Sequence, residues 1–101
     1  MKYFVYILFS EKLDQYYTGH SEDTATRIKQ HNEGFFENAH TSLADDWKFV
    51  FQLECDSRTQ AILIEKHIKK MKSKKYILNL IQYPEIGKKL KEKYDKGSQS
   101  R

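Results

Sequence analysis

Apolar and aromatic side chains crowd the start of the chain, where "KYFVYILF" (residues 2–9) has no charge after Lys2. A short run of this kind predicts a β-strand. A second run at residues 15–19, "QYYTG", predicts its hairpin partner across "SEKLDQ". Gly19 is expected to end that strand, and "HSEDTATRIKQHN" to begin a helix. Ser21 is its expected N-cap, with Glu22 and Asp23 in the first turn and Gly34 closing the C-terminus. Residues 35–46, "FFENAHTSLADD", show no period and read as a loop. "WKFVFQLEC" (residues 47–55) alternates, which predicts a third strand with Trp47, Phe49, Phe51 and Leu53 on one face. Ala61, Ile64, Ile68 and Met71 recur at helical spacing. Ser73 is placed to cap a further helix in which Ile77, Leu80 and Ile81 face inward until Pro84. Residues 85–95 suggest a last short basic helix, and "KGSQSR" a frayed tail. The order β-β-α-β-α-α predicts an α+β fold, a small three-stranded antiparallel sheet flanked by helices. Residues 1–84 form the expected domain, with residues 85–101 as a basic C-terminal helix and tail.

Composition narrows the function classes. The 101 residues are 39% hydrophobic and 32% charged, which suits one globular domain. No apolar run is long enough for a bilayer, and the N-terminus lacks a signal-peptide cleavage pattern. Cys55 stands alone, so no intramolecular disulfide and no Cys-rich metal site is expected, which fits a cytoplasmic protein. The net charge of +4 is unevenly spread. Residues 1–64 hold 6 Lys and Arg against 10 Asp and Glu, whereas residues 65–101 hold 12 against 4. A basic half of this kind fits either a polyanionic partner such as nucleic acid or a solvated, solubilising surface.

Several polar residues can be brought together. Hairpin pairing can set Tyr6 and Tyr17 side by side. Arg27 and His31 are four apart on the predicted first helix and share a face. Glu65 borders the apolar stripe of the next one. Phenols, a guanidinium, an imidazole and a carboxylate can together activate water, stabilise negative charge and hold a divalent metal. Each also has a structural reading. Strand tyrosines pack, Arg27 can pair with Asp23, a helical histidine is commonly structural, and Glu65 can face Lys69 four residues on. On residue types and spacing alone, the chain is a basic α+β domain suited to nucleic acid.

A family resemblance sharpens this picture. "VYI" at Val5–Ile7 and "YTG" at Tyr17–Gly19, with ten residues between Tyr6 and Tyr17, resemble the paired motifs of the GIY-YIG nuclease superfamily. "YYTG", "DTATRIKQHNEG", Trp47 and "EKHIKKMKSKK" follow in the order and spacing of its small stand-alone bacterial members, from about Lys2 to Pro84. The resemblance implies a phosphodiesterase site using Mg²⁺ or Mn²⁺ on a three-stranded antiparallel sheet. In it Tyr6 or Tyr17, usually the first, takes the proton of the attacking water. Gly19 lets the helix start and the phosphate come close. Arg27 stabilises the phosphorane-like state, His31 assists the phenol or phosphate, and Glu65 ligates the metal.

The same resemblance makes His20, after the motif glycine, a phosphate neighbour. Lys66, Lys69, Lys70, Lys72, Lys74 and Lys75 become a nucleic-acid-binding stripe. His40 is a remote DNA contact, His67 is read as solvated, and Trp47 as packing. Three positions depart from the family pattern: Phe4 replaces a glycine, Thr18 an aliphatic residue, and Tyr83 the asparagine often found before the proline. The implied activity is a DNA endonuclease of low sequence specificity, with RNA as a second candidate polymer and repair or processing, including repair-complex proteins, as its setting. The alternative is a catalytically inactive nucleic-acid-binding or interaction module on the same fold. Glu65 tells against it, because binding alone has no use for that carboxylate.

Overall fold

The structure is a computed structural model that describes residues 2–35 and 40–95. Its elements are β1 (Tyr3–Ser10), β2 (Gln15–Ser21), α1 (Thr24–Asn32), a 3-10 turn (His40–Leu43), β3 (Lys48–Cys55), α2 (Arg58–Met71), α3 (Lys74–Gln82) and α4 (Pro84–Lys93). The strands form one antiparallel sheet in the order β2-β1-β3, so β1 is central. That position explains its uninterrupted apolar character. Val5, Tyr6, Ile7 and Leu8 are each at most 1% exposed, because both faces of the strand are covered.

Strand alternation sends these side chains to two separate cores. Val5 and Ile7 pack with Ala61, Ile64 and Ile68 of α2, Leu80 of α3 and Leu90 of α4. Tyr6 and Leu8 point the other way, against Trp47 and Ile28 of α1. The result is a three-layer α+β arrangement. α1 covers one face of the sheet and α2, α3 and α4 the other.

Several local expectations need correction. β2 runs past Gly19 to Ser21, and α1 starts at Thr24 with Asp23 as its cap. The Asp23 carboxylate accepts from the Thr26 amide at 3.0 Å, and Ser21 Oγ accepts from the Asp23 amide at 3.0 Å, so Ser21 shapes the turn rather than capping the helix. Gly34 does follow the end of α1 in the left-handed region, at φ 72°. β3 does not present one face. A bulge shifts the register from Ile7 opposite Phe51 to Leu8 opposite Phe49. Trp47 and Phe49 therefore join the Tyr6 core, while Phe51 and Leu53 join the α2 core.

Ser73 caps α3 as expected, accepting from the Tyr76 amide at 3.1 Å. Met71 and Ile81 are surface residues, 45% and 37% exposed. Met71 is the last residue of α2, and the inward line of α3 is Tyr76, Ile77 and Leu80. Pro84 ends α3 and opens α4 at its first turn, where no N–H is missed. Ile86, Leu90 and Tyr94, spaced four apart, lay α4 and its end onto the α2 core. Residues 36–39 of the expected loop and the tail at residues 96–101 lie outside the described residues.

The register answers why a glycine interrupts an aromatic strand. Tyr6 lies opposite Gly19, and Tyr17 opposite Leu8, so the two phenols are diagonal neighbours rather than a direct pair. A Cβ on Gly19 would sit 2.6 Å from Tyr6 Oη, 2.8 Å from Tyr6 Cζ and 3.2 Å from Tyr17 Cε2. Gly19 is bare because the Tyr6 ring end occupies that space. Gly19→Ala should therefore destabilise the fold by about 1–3 kcal/mol through overpacking, outweighing the smaller benefit of a stiffer unfolded chain. Thermal melting checks this, and an unchanged Tm would show that the Tyr6 ring has room to move.

Candidate active site

Tyr6 and His31 meet through the register just described. β1 carries the phenol inward on the α1 side of the sheet, and the last turns of α1 place the imidazole above it. Tyr6 Oη lies 3.0 Å from His31 Nε2, and His31 Nδ1 lies 2.7 Å from Thr41 Oγ1. The Trp47 indole N–H donates to the Thr41 carbonyl at 2.8 Å and so fixes that threonine. Asn32 adds a second tie, accepting from the Trp47 amide at 2.7 Å and donating to its carbonyl at 3.0 Å. Trp47 thus does more than pack. Together with Asn32 it fastens the segment that holds His31. Tyr17 stands beside the pair, its ring centroid 4.9 Å from that of His31.

This enclosure changes both titrations. Burial, reinforced by the neighbouring Tyr17, raises the Tyr6 phenol well above its ordinary range, and Arg27 only partly offsets this. At neutral pH Tyr6 is a hydroxyl, not a phenolate. Burial pushes His31 down to about 4, with the Arg27 cation adding to the effect. His31 is therefore a neutral imidazole, with an oxygen partner at each nitrogen.

Arg27, one turn before His31 on α1, is half-buried and lines an open cleft of about 460 Å³. His20 and Arg58 share that cleft. Arg58, the first residue of α2 after its Ser57 cap, escapes sequence reasoning, because only the fold brings it to the cleft of Arg27. Thr41 carried no signal at all, because it lies in an unpatterned stretch.

Glu65 reaches the site from the other layer, around edge strand β2. His20 projects from β2 toward α2, and its Nδ1 contacts Glu65 Oε1. Lys69 Nζ lies 2.7 Å from Glu65 Oε2 and 5.6 Å from the Tyr17 ring centroid. Both carboxylate oxygens therefore face cationic or proton-bearing neighbours, and Lys69 links Glu65 to Tyr17. Among the described residues, no cluster of three His, Cys, Asp or Glu side chains could hold a metal.

The lysines do not form a single stripe. Lys69, Lys72 and Lys74 line a groove between β2, α2 and α3, together with Tyr16 and Tyr17. Lys66 and Lys70 open onto a different cleft. Lys75 is exposed on α3. His67 is not solvated as expected; it is half-buried, with Nδ1 2.9 Å from Tyr94 Oη. His40 falls where no side chain is described.

His31 makes stability depend on pH. Its folded value of about 4 lies below the ordinary 6.5, so between these values the unfolded chain binds more protons than the folded one. The stabilisation is fully present above about pH 6.5 and is lost as pH falls toward 4, a change of about 3 kcal/mol. Melting curves from pH 7 to 4.5 should show Tm falling in the wild type and falling less in His31→Gln. Parallel curves for the two proteins would contradict a neutral buried His31.

The family model for the GIY-YIG catalytic domain matches residues 2–77, which covers β1 through the start of α3 and every group placed at the site above. No curated protein and no solved structure matches the chain. With the match spanning most of its length, the chain belongs to the GIY-YIG catalytic domain family, whose members are endonucleases that hydrolyse phosphodiester bonds.

Proposed function

We propose that this chain is a divalent-metal-dependent endonuclease that cuts DNA with little sequence preference, in repair or processing of branched or damaged substrates. The observation that carries the reading is the buried Tyr6–His31 contact with Arg27 one turn away. A phenol held above its ordinary range is a poor base by itself. Passing its own proton to His31 Nε2 as the water's proton arrives spares a free phenolate, at the cost of an imidazolium that burial and Arg27 disfavour and that the incoming phosphate charge offsets. As the attacking water gives a proton to Tyr6 Oη, Tyr6 gives one to His31, and the imidazolium that forms keeps its Nδ1–H on Thr41. Arg27 offers a fixed cation in the adjoining cleft for the charge that gathers on the phosphorane oxygens. Tyr17 shields the pair from bulk water.

Glu65 is the residue proposed to hold the metal. A single carboxylate suits Mg²⁺ or Mn²⁺, which keep several waters and use substrate phosphate as a ligand. His20 Nδ1 lies against that carboxylate, and it would act as a second ligand only after giving up the hydrogen it directs at Glu65. Such an ion, when bound, polarises phosphoryl oxygens and acidifies its waters. Lys69 neutralises Glu65 until then. Lys69, Lys72 and Lys74, around the groove beside β2, are suited to phosphate contacts, which carry no sequence information, hence the low specificity. A cytoplasmic setting and contacts with repair proteins complete the proposal.

The competing reading, a binding module without turnover, draws on one observation. Both Glu65 oxygens are already engaged by side chains of this chain. A cleavage screen over single-stranded, duplex, flap and junction DNA, with matching RNA arms, separates the two. Cleavage should require Mg²⁺ or Mn²⁺ and stop with a chelator. Tyr6→Phe should slow it about 10²- to 10⁴-fold, and Arg27→Ala comparably. Glu65→Gln should remove cleavage while leaving DNA affinity and Tm close to wild type. Failure of the wild type on every substrate, with metal changing neither Tm nor affinity, would leave the binding module as the function.

A further inference from the structure

Helix α2 has two exposed flanks, and only one belongs to the active site. Glu65 and Lys69 follow one line toward β2, and Lys72, just past the end of the helix, lines the same groove as Lys69. Leu63, Lys66, His67, Lys70 and Met71 follow the spacing i, i+3, i+4, i+7, i+8 on another, centred about 150° from the Glu65–Lys69 line at 3.6 residues per turn. This second flank forms a cleft of about 450 Å³ with the end of α4, closed by Lys93 and Tyr94. That volume lies within the usual range for small-molecule sites.

Its composition is specific. Lys66, Lys70 and Lys93 converge there, and none forms an ion pair with a carboxylate among the described residues. Glu92 and Asp95, the carboxylates nearest that end of α4, line a separate cleft beside Asp56. Three exposed like charges gathered without a counter-charge make a local positive potential that attracts an anion. The lysines also surround aromatic and apolar surface. His67 and Tyr94 are joined at 2.9 Å, Lys93 Nζ lies 5.6 Å from the Tyr94 ring centroid, and Met71 is 45% exposed. Burial, with Lys93 and Lys70 close by, holds the His67 imidazole below its ordinary range, which is independent support for how near those cations lie.

We propose that this cleft is a second nucleic-acid subsite, binding one or two nucleotides of an unpaired strand. The phosphates lie on Lys66, Lys70 and Lys93, and a base rests against Tyr94 and Met71. Cations beside an aromatic face are what sequence-tolerant single-strand binding requires. The inference rests on the nuclease reading for the identity of the polymer. It adds that substrate is gripped on both sides of α2, at points about 10–12 Å apart across a helix. A strand has to cross α2 to fill both. The enzyme then favours substrates with an unpaired arm beside the scissile phosphate over short fragments.

The test is fluorescence anisotropy without metal, so that nothing is cut, using labelled single strands of 4 and 20 nucleotides at several salt concentrations. The variants are Lys66→Ala/Lys70→Ala/Lys93→Ala and, for the other flank, Lys69→Ala/Lys72→Ala. The triple variant should bind the 20-mer roughly tenfold more weakly, and its salt slope should shrink by about 0.7 for each lost phosphate contact. Its affinity for the 4-mer should be nearly unchanged, and its Tm should match wild type because all three side chains are exposed. Wild-type affinity and salt slope in the triple variant would overturn the subsite even if Lys69→Ala/Lys72→Ala weakens binding. Absence of binding by the wild type itself would instead overturn the nuclease reading beneath it. If the triple variant loses affinity for vesicles containing phosphatidylserine but not for the 20-mer, the cleft is a membrane contact and the proposal is wrong.

Discussion

The contact between Tyr6 and His31 is the constraint around which the sheet, the first helix and the turn before β3 are arranged. It demands a tyrosine on the central strand, because only there is the phenol covered on both faces. It demands Gly19 directly opposite, because any Cβ would overlap the ring end. It also demands a backing for the imidazole, supplied by Thr41 and held in place by Trp47 and Asn32. One interaction thus accounts for features that look unrelated in sequence: a glycine inside a strand, a tryptophan before another, and an asparagine at the end of α1. The energetic consequence is a histidine kept neutral and a phenol kept protonated, each a partner for the other's proton.

The second organising feature is the way charge is divided between layers. The acidic half of the chain builds the hairpin, α1, β3 and the first turns of α2, and the basic half builds the rest of α2 with α3 and α4 behind the sheet. Glu65, at the boundary, is the first residue of the basic half and also the carboxylate that reaches back to β2. Its neighbours His20 and Lys69 engage both of its oxygens while α2 carries cations along both exposed flanks. In the proposed function, a polyanion approaching this surface meets positive charge on every side of α2, with catalytic groups at only one edge. Long-range attraction and chemistry are thereby separated, the first being diffuse and the second fixed by packing.

Much of this was legible in the sequence, and the failures have physical causes. Apolar runs and helical spacing located the three strands and the helices, and Ser73 was readable as a cap because its neighbours left no competing residue. Gly19 misled, since a glycine after a short run reads as a strand end. Its real cause lies in the side chain across the ladder, which no local pattern reports. The bulge in β3 was equally invisible, so the alternation that predicted one face for Trp47 and Leu53 was right locally and wrong in register. Arg27, His31 and Glu65 were read as residue types at suitable spacing, and the fold brings His31 to Tyr6 and Glu65 to His20. The split of the lysines into two clefts was not, because it depends on where α4 returns against α2. Thr41 emerged only from the folded chain.

The central claim is a statement about one proton, and nitrogen NMR of the His31 side chain measures it directly. In ¹⁵N-labelled protein at pH 7, long-range imidazole correlations report which nitrogen carries hydrogen. The account predicts a neutral ring protonated at Nδ1, toward Thr41, with Nε2 as the acceptor of the Tyr6 hydroxyl. The Nε2 signal should shift when Tyr6 becomes phenylalanine, and titrate only near pH 4. A ring protonated at Nε2, or one that titrates near the ordinary value of about 6.5, would contradict the proton path from water through Tyr6 to His31.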